Sequence, residues 1–113
     1  LVVENGLVKK ISEKAPISDE PHKDHIVLGI FYFRNAQIFI EAAHSMIDKK
    51  IAVNGEYYVA TSINELINKG LKVVPFEVDK YICWGTPEDL RAFEYWKHYF
   101  SGLENHPYYD GRK

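Results

Sequence analysis

The run His25-Ile26-Val27-Leu28-Gly29-Ile30-Phe31-Tyr32-Phe33 is the stretch that most restricts the fold of this chain. It is almost continuously apolar, is broken only by Gly29, and is far short of the roughly 20 residues that cross a bilayer. At that length it reads as a buried strand rather than a helix, because a strand covered on both faces shows no alternation. Gly29 within it marks a close backbone approach. The next segment changes period: from Ala36 to Lys49, Ile38, Phe39, Ala42, Ala43, Met46 and Ile47 recur at helical spacing, with Glu41, His44, Asp48 and Lys49 on the other side. A covered strand followed by an amphipathic helix calls for layers, and so for an α/β arrangement.

The rest of the chain fits that scheme. Residues 1–14 predict a β-hairpin, since Val2-Val3 and Leu7-Val8 with Ile11 flank Asn5-Gly6, a dipeptide suited to positive φ. Residues 15–24, with Pro16 and Pro21, predict a loop. Ser62 as N-cap with Glu65 three residues on, Ile63, Leu66 and Ile67 inside and Gly70 as stop predict a second helix. Leu71 to Val78 and Tyr81 to Trp84 predict further strands. Thr86, Pro87 and Asp89 predict a capped helix running to about Phe100 that buries Leu90, Phe93, Trp96 and Phe100. One domain over 1–103 with a tail at 104–113 follows, built on a mixed sheet of about three or four strands flanked by helices. So thin a sheet leaves an apolar edge or face that a missing N-terminal half, a partner chain or a second copy must cover. The opening on Leu1 rather than Met, directly in a strand-like run, also predicts a fragment of something longer.

Charge and cysteine content exclude several functions. Fourteen basic and sixteen acidic side chains leave a formal charge of −2, so no global field draws the chain to nucleic acid or to an acidic membrane. One cysteine rules out an internal disulfide framework and a Cys-rich zinc site, and suits a reducing, cytoplasmic setting.

Few side chains offer chemistry. Glu13-Lys14 closes the hairpin region, and a carboxylate beside an ammonium can divide the work on a sugar phosphate, one accepting from hydroxyls and the other neutralising phosphate. The same pair is equally a solvated surface pair. Asn54-Gly55-Glu56-Tyr57-Tyr58 is either a lip whose Asn54 or Glu56 bonds a substrate, or a turn followed by two packing tyrosines. His22 and His25 around Asp24 lack a further ligand for a firm metal site. Cys83 suits a small buried residue better than a nucleophile. No nucleophile elbow and no phosphate-cradling glycine loop is present.

Four segments, in order, resemble the C-terminal half of the sugar-phosphate nucleotidyltransferases, the pyrophosphorylase family. They are Gly6-Leu7-Val8-Lys9-Lys10-Ile11-Ser12-Glu13-Lys14, Leu28-Gly29-Ile30-Phe31-Tyr32-Phe33, Asn54 to Tyr58 with Asn64, and Trp84-Gly85-Thr86-Pro87-Glu88-Asp89-Leu90. The resemblance implies a partial three-layer, Rossmann-like fold and transfer of a nucleotidyl group from an NTP to a sugar phosphate, with Mg2+ shielding charge. It implies that Glu13 binds sugar hydroxyls, that Lys14 binds the phosphate and acts in catalysis, and that Gly29, Asn54 and Glu56 line the substrate pocket. Two departures stand out. The family's glycine-rich N-terminal signature is absent, so this chain is expected to be inactive alone. Cys83 occupies the position where many relatives carry a metal-binding aspartate, and Asp79 is the nearest carboxylate before it. The substrate implied is a sugar phosphate or a non-sugar phosphate such as phosphocholine. The alternatives are a non-catalytic sugar-nucleotide-binding or regulatory module, and an interaction domain whose Tyr108 and Tyr109 pack on a neighbour.

Overall fold

The structure, a computed structural model, describes residues 1–111. The chain is mixed α/β and divides into two compact units, Leu1–Glu77 and a second beginning at Val78.

The first unit opens with β1 (Val2–Glu4) and β2 (Leu7–Lys10), an antiparallel pair in which Val3 faces Val8 and Glu4 faces Leu7. Asn5 and Gly6 both take positive φ, 52° and 73°, as a two-residue turn matched to strand twist requires. Helix α1 (Ala36–Asp48) is capped by the Asn35 side chain, which accepts from the Ile38 N–H at 3.0 Å. Helix α2 (Val59–Asn68) starts four residues earlier than the Ser62 cap predicts, with Tyr58 at the N-cap position. The Asn54-Gly55 turn, closed by a bridge between Val53 and Glu56, returns the chain to the helix at Tyr58. Ser62 is fully buried inside α2 and donates to the Val59 carbonyl, and Glu65 turns toward α1 instead of capping.

The core of this unit is Val8, Ile11, Ala60 and Ile63, with Leu1, Val27, Phe31, Phe33, Ile67 and Val73 half-buried against it. Each buried aliphatic side chain contributes on the order of 1.5–3 kcal/mol. Helix α2 packs on β2 and on α1. The α1–α2 seam buries Ala42, Met46 and Leu66 and holds one ionic link, in which Glu65, 3% exposed, accepts from Ser45 Oγ and from Lys49 Nζ at 2.5 Å.

The sheet differs from expectation. Among the described residues it has two strands, not three or four, and the segments 25–33, 71–78 and 81–84 form no ladder. Strand geometry needs a neighbour, and these segments have little of one: the Val8 N–H donates to the Val73 carbonyl at 2.8 Å, and the Leu1 amino group to the His25 carbonyl at 2.6 Å. Side chains alternate as in a strand only over residues 30–33, and in 71–78 Val73 alone is half-buried. Val27, Phe31, Phe33 and Val73 turn toward the core, while Ile30 (86%), Tyr32 (89%) and Phe76 (92%) stand in solvent.

In the second unit α3 (Pro87–Ser101) begins as predicted. Thr86 accepts from the Asp89 N–H, Asp89 accepts from the Thr86 N–H, and Pro87 takes the first turn. Its burial is less than predicted, since Leu90 and Trp96 remain 40% and 53% exposed and only Phe93 and Phe100 are half-buried. An amphipathic stripe is covered only where something lies on it, and what lies here is the tail. His106 stacks on Phe100 at 4.3 Å between ring centres, and Tyr108 meets Phe93 edge-on at 6.3 Å. Of the expected tail, residues 112 and 113 lie outside the described residues. No helix is long and apolar enough to cross a membrane among the described residues.

Candidate functional site

The polar cluster with the most chemistry lies where the end of β2 meets the start of α2. Beyond β2, Ile11 is buried, and the side-chain amide of Asn64 on α2 grips its backbone: the Ile11 N–H donates to Asn64 Oδ1 at 2.9 Å, and Asn64 Nδ2 donates to the Ile11 carbonyl at 2.9 Å. The chain then turns sharply. Ser12 Oγ donates to the Ala15 carbonyl at 2.9 Å, and Lys14 adopts the left-handed conformation at φ 57°, a strained choice for a residue with a Cβ.

That turn brings Lys14 Nζ over the ring of Tyr58, 5.6 Å from its centre, within reach of a cation–π attraction. Tyr58 precedes the first residue of α2, and its hydroxyl donates to the Glu56 carboxylate. In extended chain, residues two apart share a side, which is why Glu56 and Tyr58 face the same way. The Glu56 carboxylate that accepts this bond holds the Tyr58 phenol above its ordinary 10.0, burial adds to the effect, and the charge of nearby Glu13 adds the remainder. Lys14 and Glu56 thus meet at one aromatic ring, with the charge of Glu13 felt there. Glu13 also lines a hollow of about 200 Å³ with Ser12, Pro16, Asp24 and His25.

Other predicted residues lie elsewhere. Asn54, exposed at φ 51°, is the corner of its turn, and no hydrogen bond from its side chain is formed among the described residues. Gly29 is exposed at φ 83°, with open space where a Cβ would stand, so its torsion rather than crowding calls for glycine. Asp79 and Cys83 belong to the second unit and are exposed, and Cys83 Sγ accepts from the Gly85 N–H at 3.4 Å.

The donors do not fit the implied Mg2+. That ion takes hard oxygen ligands in near-octahedral order, whereas a thiol stands at the key position and Asp79 is exposed. No group of three or more His, Cys, Asp or Glu side chains among the described residues could hold a metal, His22, Asp24 and His25 included.

Searches for similar proteins, among family models, curated proteins and solved structures, found no match.

Two members of the cluster, Tyr58 and Asn64, stand in segments singled out from the sequence but were given no role there. Tyr58 was visible in the Glu-x-Tyr spacing that puts both side chains on one side of an extended segment. Asn64 carried a weaker signal, an amide among the apolar positions of a short helix, and nothing local pairs it with Ile11, 53 residues away.

Proposed function

We propose that this chain supplies the sugar-phosphate half of a nucleotidyl-transfer site, with Glu13, Lys14, Glu56 and Tyr58 as the ligand-facing groups. The observation that carries the reading is the Lys14 ammonium 5.6 Å from the centre of the Tyr58 ring, whose hydroxyl donates to the Glu56 carboxylate. A plain polyanion would be repelled by Glu13 and Glu56. A molecule bearing both hydroxyls and a phosphate suits the set, because carboxylates accept from hydroxyls and one ammonium pairs with one phosphate. In the reaction, a phosphate oxygen of the sugar phosphate attacks the α-phosphorus of an NTP, a P–O bond forms, the α–β bridge breaks, and pyrophosphate leaves. Lys14 would hold the attacking phosphate in place and offset its charge. The same reading extends to the fold, as the Rossmann-like layering would follow if further strands lay beside residues 25–33 and 71–77, of which Val27, Phe31, Phe33 and Val73 pack toward the core.

One observation favours a second reading, binding of a sugar nucleotide without turnover: a thiol stands where a metal-binding carboxylate is needed. Titration of the chain with α-D-glucose 1-phosphate and with phosphocholine, followed by calorimetry, tests what the two readings share. Lys14→Ala is expected to weaken binding about tenfold, as loss of one charge-assisted contact does. Equal binding by the variant removes Lys14 from the site. In a longer protein that joins this chain to a glycine-rich NTP-binding half, pyrophosphate release from an NTP supports transfer, and binding without release supports the second reading.

A further inference from the structure

We infer that Asn64 is a positioning residue, whose amide, by clamping the Ile11 backbone, holds the Glu13-Lys14 turn over Tyr58. The inference rests on the reading of that turn as a phosphate site only for its functional consequence.

The geometry supplies three steps. First, the clamp is two-pronged: one side chain satisfies both the N–H and the carbonyl of Ile11, as a neighbouring strand would, and so restricts rotation as well as distance. Second, Ile11 is three residues before Lys14, and the intervening chain is closed by the bond from Ser12 to Ala15, leaving little slack between clamp and ammonium. Third, Tyr58 and Asn64 belong to the same helical segment, Tyr58 as the residue before its first turn and Asn64 in its body. One rigid element therefore presents the ring and anchors the turn that carries the ammonium. A left-handed Lys14 is held where its surroundings over-determine it, and the clamp is one of those surroundings.

The test uses the full chain with its lysines reductively dimethylated with carbon-13, which keeps their charge. The Lys14 methyl signal, assigned by its loss in Lys14→Arg, is expected to be displaced by the Tyr58 ring and to return to the position of exposed lysines in Tyr58→Leu. Asn64→Leu, close in volume and without hydrogen bonds, is expected to move the signal the same way. It is also expected to weaken binding of inorganic phosphate about fivefold, the worth of one lost hydrogen bond. Should Asn64→Leu fail to fold, Asn64→Asp keeps the acceptor for the Ile11 N–H and lacks the donor, and a partial displacement is expected. Asn68→Asp, an exposed change on the same helix, is expected to leave the signal in place. A Lys14 signal unmoved in folded Asn64→Leu or Asn64→Asp overturns the inference. A signal that moves with Asn64 while phosphate affects neither protein upholds the positioning role and overturns the phosphate reading instead.

Discussion

Single side chains decide more here than their number suggests. Glu65 is the one acidic residue driven into the first unit's interior, and it stays charged because Lys49 and Ser45 bond it, which lowers its carboxyl below the ordinary 4.5 against the opposing effect of burial. A depressed folded-state value means that the stabilisation is complete above the unfolded value and disappears as pH falls through the folded one. Stability measured by urea unfolding and far-ultraviolet circular dichroism is therefore expected to drop between about pH 5 and pH 3. In Glu65→Gln that drop should shrink, with a loss of about 1–3 kcal/mol at neutral pH. A variant with the wild-type acid profile would show that Glu65 does not link α1 to α2. The same scale explains what the sequence concealed. Glu13 and Lys14 were recognisable as a pair, but their partner Tyr58 lies 44 positions beyond Lys14, and only the folded chain joins them.

Elements whose causes are local were legible; elements whose causes are distant were not. The Asn5-Gly6 hairpin, α1 and the Thr86–Asp89 capping box needed only neighbours in sequence and formed as the pattern predicts. Replacing Thr86 by Ala removes the acceptor for the Asp89 N–H and should cost about 1 kcal/mol, measured as a lower urea midpoint in the second unit's near-ultraviolet dichroism. An unchanged midpoint would mean that Pro87 alone fixes the start of α3. Helix α2 was misjudged at its start because Ser62 and Glu65 have the spacing of a capping box, yet both are drawn inward by burial and by α1. The strands at 25–33, 71–78 and 81–84 were misjudged for a different reason, since a strand is completed by another strand and sequence period alone cannot supply one.

At the scale of the whole molecule, the first unit leaves several large apolar side chains in solvent. Ile30, Tyr32 and Phe76 are each at least 86% exposed, with Ile26 and Val74 beside them in sequence pattern. Large apolar side chains this exposed are ready sites for an apolar probe, and a hydrophobic dye is expected to bind the native chain. Ile30→Thr with Phe76→Thr should cut that fluorescence sharply while leaving the melting temperature within a few degrees, since neither side chain contributes to the core. Dye binding unchanged in the double variant would place the exposed surface elsewhere. The division into two units also has an optical consequence. Both tryptophans, Trp84 and Trp96, belong to the second unit, and the first holds only tyrosine and phenylalanine as chromophores. Indole emission therefore reports directly on α3 and its aromatic neighbours, whereas a signal from within the unit that holds Lys14 and Tyr58 must come from tyrosine.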